Sequence, residues 1–219
     1  MKLGIVSDVH CRHEELRLVA HALLREGVDE ILLAGDAHDE YRFSNEVVDV
    51  IREYGMRYIL GNHEGVLLSS AGERARARPN VRRDHLEFVQ SVPFRLRTKV
   101  DGKTLTMVHA NPWAPDNAYL YQNHRLFNRC AELDTDFLVL GHTHVPMAFR
   151  RGRTLVVNPG SLVYSRDADS IGMINYAILD VTSGESRQVR IPRIGLVDGG
   201  GSSRLRTHGS QMEVDHVYP

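Results

Sequence analysis

Cysteine is nearly absent: Cys11 and Cys130 are the only two in 219 residues, and they form no C-x-x-C pair. This excludes a disulfide framework and a thiolate zinc site, and it fits a reducing compartment. An excess of one charge is missing too, with 27 Lys and Arg against 28 Asp and Glu and a net charge of -1. Neither a nucleic-acid polymer nor an anionic membrane is therefore the expected partner, whereas a small anionic substrate held by a local site is allowed. Long apolar runs are lacking as well. The opening MKLGIVSD is too short for the apolar core of a signal peptide, and no stretch approaches the roughly 20 residues of a membrane span. The expected location is the cytoplasm. No internal repeat is present.

What is there is a change of rhythm along the chain. In the first half, KLGIVSD, DEILLAGD and MRYILGNHE alternate with helical stretches over His13–Glu26 and Ser44–Tyr54. Leu16, Val19, Ala20, Leu23 and Leu24 make one apolar face at the 3.6 period, as do Val47, Val48 and Ile51, with Ser44 as an N-cap. Parallel strands with helical crossovers follow. The second half carries the strand-like runs FRLRTKV, KTLTMVHA, DFLVLGHTH, MAFRRGRTLVVN and GMINYAILDV, joined mostly by turns, plus one helical stretch over Ala118–Ala131. It reads as a second, largely antiparallel sheet. Two packed sheets with helices outside give a four-layer α/β/β/α sandwich spanning residues 1–193. Residues 194–219, with Gly199–Ser203 of linker composition, read as a docked or flexible tail that also makes a homodimer reasonable.

The polar residues follow the strands. Asp8 and His10, then Asp36, then Asn62, His63 and Glu64, then His109, and finally His142 and His144 each come directly after an apolar run. In an α/β sheet the carboxyl ends of parallel strands share one edge, where ligands bind. These side chains then meet in one crevice. Imidazoles, carboxylates and an amide oxygen without thiolates suit two divalent cations, Mn first, with Fe, Zn, Ni or Co as alternatives. Such a pair would activate a bridging hydroxide for in-line attack on phosphorus and neutralise the phosphoryl oxygens.

The order D-x-H, G-D, G-N-H-E, H, G-H-x-H resembles the calcineurin-like metallophosphoesterase superfamily. The stretches GDAHDEYRFSNEVVDVIREYGMRYILGNHE, VHANPWAPDNAYLY and NPGSLVYSRDADSIGMINYAILD resemble its small bacterial and archaeal phosphodiesterase branch. The resemblance implies that Asp8, His10 and His144 hold one metal, that Asn62, His109 and His142 hold the other, and that Asp36 bridges them. It further implies that His63 stabilises the phosphoryl group or protonates the leaving oxygen, oriented by Glu64, which stands where Asp is commoner. Cys11, Arg12 and His13 replace the Gly usual after D-x-H, and Ala110 replaces a second Gly.

The expected activity is a dimetal phosphodiesterase acting on a small phosphate ester. The alternatives are a phosphomonoesterase or phosphoprotein phosphatase, a dinucleoside-polyphosphate hydrolase, or a scaffold such as the retromer subunit that resembles this family. Arg12, His38, Tyr164 and Arg166 are the candidate substrate contacts. Trp113 reads first as a loop anchor and second as a base-stacking residue, and the arginines of ERARARPNVRRD as a solvated face before a steering patch.

Overall fold

The structure is a computed structural model that describes residues 1–113, 117–167, 170 and 172–193; the tail expected over 194–219 lies outside them. β1 (Lys2–Val6), β2 (Glu30–Leu33) and β3 (Arg57–Tyr58) pair in parallel and are connected through α1 (His13–Arg25) and α2 (Asn45–Glu53). α1 buries Leu16, Val19, Ala20 and Leu23, the face set by the 3.6 period. The Ser44 hydroxyl caps α2 by accepting from the Val47 amide at 3.2 Å. Beyond β3 lie α3 (Asn62–Leu68), a 3-10 turn (Ser70–Gly72), α4 (Glu73–Arg76) and α5 (Arg83–Ser91). Three arginines of the run are spent locally: Arg76 donates to the carbonyls of Leu67 and Ser69, Arg82 pairs with Asp49 and Asp84, and Arg83 with Glu87.

The second sheet runs in the order β4-β5-β6-β8-β7 and comprises β4 (Arg95–Val100), β5 (Lys103–Val108), β6 (Phe137–Val139), β7 (Met147–Arg151) and β8 (Thr154–Asn158). Its antiparallel pairs are the hairpins β4-β5 and β7-β8, whereas β5, β6 and β8 are parallel. The expectation of a largely antiparallel sheet is therefore corrected. Residues 109–136 form a connection long enough to carry the chain back before β6 begins.

GMINYAILDV also changes sheets: β9 (Met173–Asp180) pairs antiparallel with β1 and then with β10 (Glu185–Pro192), completing the first sheet as β10-β9-β1-β2-β3. Burial on both faces explains the place. Ile174, Tyr176 and Ile178 pack toward the helices, while Ala177 and Leu179 join the core between the sheets. That inter-sheet core also takes Leu3, Ile5 and Leu32 from one side and Leu105, Phe137, Val139 and Val157 from the other. A third cluster packs Leu138, Leu140 and Val156 beneath Phe127 and Cys130, so the layers run α/β/β/α.

The helix expected over Ala118–Ala131 shrinks to a 3-10 segment, Phe127–Glu132. Tyr119 and Tyr121 stack on one another with centroids 5.9 Å apart. Residues two apart share a side in extended chain and not in a helix.

Each sheet thus contributes three mutually parallel strands, β1, β2 and β3 from one and β5, β6 and β8 from the other. Their carboxyl ends reach one edge of the sandwich. That shared direction positions the functional residues.

Candidate metal centre

The loops leaving this edge hold one another in place. The amides of Val9 and His10 donate to the Asp36 carbonyl at 2.8 and 3.0 Å, and the Gly141 amide donates to the His109 carbonyl at 2.9 Å. The His142 amide donates to Asp8 Oδ2 and the His63 amide to Asp36 Oδ1, each at 3.0 Å. Space is as restricted as direction: a Cβ on Gly61 would overlap the Asp36 carboxylate, and one on Gly141 the Ser7 hydroxyl. Asp8, His10, Cys11, Asp36, His142 and His144 all take positive φ, between 47° and 65°. For non-glycine residues that region costs on the order of 1–3 kcal/mol each and persists only where the surroundings over-determine it. The strain is concentrated in the loops that carry the polar cluster.

Three sets of ligand-competent atoms result: Asp8 with His10 and His144, Asp36 with His109 and His142, and His10 with Asp36 and His63. His144 Nε2 lies 3.1 Å from Asp8 Oδ1 and 3.3 Å from His10 Nε2. His109 Nε2 lies 3.1 Å from Asp36 Oδ2 and 3.9 Å from Asp8 Oδ1, so the first two sets adjoin. Asn62 Oδ1 is buried and lacks a hydrogen-bond partner, and Asp8 Oδ1 and His109 Nε2 are buried with only the ion-pair contacts of the cluster. Such atoms are costly unless something else satisfies them.

Four of the imidazoles have an oxygen partner at the remaining nitrogen. His10 Nδ1 meets Asp39 Oδ1 at 3.2 Å, His109 Nδ1 the Ala34 carbonyl at 2.7 Å, His142 Nε2 the Asn117 carbonyl at 2.7 Å, and His144 Nδ1 the Tyr164 carbonyl at 3.1 Å. A histidine held from behind by an acceptor presents its other nitrogen as a lone-pair donor, the arrangement found around metal ligands. The donor set fits divalent metal ions. Cys11 is no part of it: its thiol donates to the Arg42 carbonyl, and burial with the nearby Asp39 carboxylate pushes it up to about 12.

Carboxylates and imidazoles shift one another within the cluster. Burial alone would raise Asp36, yet the imidazoles of His109, His63 and His10 hold it well below the carboxylate range. His109 is pushed up to about 10: burial works against its charge, but Asp36 and Asp8 prevail. His142, facing burial and then the His109 charge, is pushed down to about 4. Asp36 and Asp8 favour the charged form of both imidazoles, but at His142 burial and the neighbouring His109 charge outweigh them.

Other sequence candidates separate clearly. His63 stands at the mouth with 27% side-chain exposure, its Nε2 3.8 Å from Asp36 Oδ2. Glu64 does not orient it. Its carboxylate is fully buried and accepts from the amides of His38 at 2.7 Å, Gly61 at 2.7 Å and Asp36 at 3.0 Å, which ties the loop after β2 to the start of α3. His38 is also corrected: it is fully buried, stacks on Phe43 with centroids 4.6 Å apart, and accepts from the Ser44 amide at Nδ1. Its ring is enclosed in the protein interior. Arg12 is exposed at the start of α1. Trp113 is partly buried with the Arg129 guanidinium 5.0 Å or less over its ring, at 4.9 Å, as a loop anchor would be. Tyr164 and Arg166 lie on the rim, where Tyr119, missed in the sequence reading, stacks on His142 at 4.2 Å. The signal available for Tyr119 was its place in an aromatic pair, Tyr119 and Tyr121, near His109.

The sequence model of the calcineurin-like phosphoesterase superfamily domain matches residues 1–184. The protein MJ0912 of Methanocaldococcus jannaschii is 25% identical over 217 residues, covering 86% of each chain. Phosphodiesterase YfcE of Escherichia coli is 26% identical over 194 residues, covering 83% of this chain and 91% of its own. The crystal structure of a metallophosphoesterase from Sphaerobacter thermophilus superposes with a TM-score of 0.68 at 25% identity, covering 87% of this chain and 88% of the other. Among the described residues no helix is long and apolar enough to cross a membrane.

Proposed function

Because the chain belongs to the calcineurin-like phosphoesterase superfamily, we propose that it is a two-metal phosphoesterase that acts on phosphodiesters. The observation that carries this reading is the convergence of the buried Asp8 and Asp36 carboxylates and the unpartnered Asn62 Oδ1 beside histidines anchored from behind. Asp8, His10 and His144 would hold one ion and Asn62, His109 and His142 the other, with Asp36 between them. When bound, the ions supply charge neutralisation on the phosphoryl oxygens and a water acidified into a nucleophile. The diester preference rests on the likeness to phosphodiesterase YfcE.

The protein's own part is positioning and proton transfer. Asp8 and Asp36 are fixed by backbone amides before any ion arrives, so the carboxylates need little reorganisation. His63 is the proton donor to the leaving oxygen: it is the one imidazole of the cluster partly open to solvent, and it meets His10 edge-on with centroids 4.6 Å apart. Glu64 is a positioning residue that acts through the amides of Asp36 and Gly61.

The test compares bis(p-nitrophenyl) phosphate with p-nitrophenyl phosphate, using protein stripped of metal and refilled with Mn²⁺. Metal-dependent turnover that favours the diester, with oxygen from labelled water in the product phosphate, is the expected result. Turnover that survives chelation, or product phosphate free of label, would overturn it.

A further inference from the structure

Above the histidines stands a wall that the proposed chemistry does not use. Tyr119 stacks in parallel on His142, centroids 4.2 Å apart and planes 14° apart, and Tyr164 packs on His144 at 4.5 Å. Arg166 joins the two. Its guanidinium carbon lies 5.0 Å over the Tyr119 ring. The wall is fastened to the metal loops, since the Ser165 hydroxyl and the Arg166 amide both donate to the His144 carbonyl, at 3.1 and 3.4 Å. Yet Tyr119 and Tyr164 remain 39% and 49% exposed, among the few large apolar side chains left to solvent.

From this geometry we infer that Tyr119, Tyr164 and Arg166 form a stacking subsite for the nucleobase of a nucleotide ester. The inference rests on the phosphoester reading of the metal centre and names its substrate class. Two physical points favour a base over a second phosphate. The guanidinium of Arg166 is laid over the Tyr119 ring as part of the wall, whereas an anion clamp directs its fork at the ligand. What the wall offers outward is planar surface, the half-exposed Tyr164 ring with the open edge of Tyr119 and a guanidinium beside it, and a base covers such surface without needing a particular hydrogen-bond pattern. Position agrees. The rings rest directly on imidazoles of the metal cluster, so a ring stacked on them belongs to a group esterified to the reacting phosphate.

The experiment is isothermal titration of the Mn²⁺-loaded protein with adenosine 5′-monophosphate and with ribose 5-phosphate, which share the phosphate and sugar and differ in the base. Adenosine monophosphate is expected to bind about tenfold tighter, a modest share of what one base gains on an aromatic face. Tyr164→Leu should bring it to the level of ribose 5-phosphate, whose own affinity stays within about twofold, while Tyr164→Phe, which keeps the face, should preserve the difference. Equal binding of the two ligands by the unaltered protein would overturn the subsite and leave the phosphoesterase reading standing. A preference that survives Tyr164→Leu would overturn the assignment to this wall. Arg166→Gln weakening both ligands alike would make the wall a phosphate contact instead. Binding of neither ligand would overturn the phosphoester reading together with the subsite.

Discussion

On the floor of the cleft, Asp8, His10, Asp36, His109, His142 and His144 are each at most 8% exposed, and the back of every ring is held by a named oxygen. On its lip, Tyr119 and Tyr164 keep 39% and 49% of their surface in water and are held mainly by one another's neighbours and by Arg166. Floor residues are set by backbone: five of the six, all but His109, sit at positive φ in the loops that leave β1, β2 and β6. Lip residues come from irregular chain between β5 and β6 and between β8 and β9. The difference teaches where tolerance lies. A floor position fails if either its side chain or its backbone is changed, whereas a lip position fails only through its face.

The sharpest way to break the contrast is at its centre. Asp36→Asn leaves the shape but removes the charge placed between the two clusters. Bound metal, counted by elemental analysis after desalting, should fall from two ions to one or none, and turnover should fall by more than about 100-fold, the upper range for changes made behind the ligands. Two ions retained with normal turnover would place the bridge elsewhere. His63→Ala should lower turnover by about 10²–10⁴ with metal content unchanged, as expected for loss of a proton donor. Loss of an ion would instead make His63 a ligand through the set it forms with His10 and Asp36.

Glu64 tests whether the floor is held by backbone. Burial, followed by the nearby Asp36 charge, pushes its carboxyl up to about 7, although the amides of His38 and Gly61 pull the other way. Glu64→Ala would strand three buried donors at a cost of about 3 kcal/mol or more, read as a fall in the urea midpoint of the metal-free protein. Metal affinity should fall with it. A variant that kept its stability and lost only turnover would return Glu64 to a catalytic role.

Much of the floor was legible because metal chemistry dictates residue type and strand ends dictate place, so D-x-H, G-D, G-N-H-E and G-H-x-H mark it directly. Glu64 was seen but misassigned: nothing in the sequence says that its carboxylate turns away from His63 toward three amides. The parallel trio in the second sheet was hidden, because strand runs alone do not state direction. β10 was missed outright. Its Val189 and Ile191 alternate correctly, but Glu185, Arg187 and Arg190 give the run the look of a polar loop. On the lip, Tyr164 and Arg166 were legible as candidate contacts but Tyr119 was not, since its segment has no periodicity and only the fold brings Tyr119 and Tyr164 to neighbouring imidazoles.

His38 is the instructive failure, for it repeats the D-x-H spacing that marks a ligand at Asp8 and His10. Burial decides the difference. Its imidazole is enclosed against Phe43 and pushed down to about 3, so the folded protein keeps it neutral while the unfolded chain protonates it near 6.5. Between those values the unfolded state binds the extra proton, and stability that is complete above about pH 6.5 is lost as the pH falls toward 3. Each unit of separation corresponds to about 1.4 kcal/mol. His38→Gln keeps an acceptor for the Ser44 amide and removes the titration. The metal-free variant should therefore lose less stability than the parent between pH 7 and pH 4, measured as the shift in urea midpoint. Identical losses in both proteins would mean that His38 titrates as an ordinary surface histidine and that the resemblance to D-x-H has to be taken seriously after all.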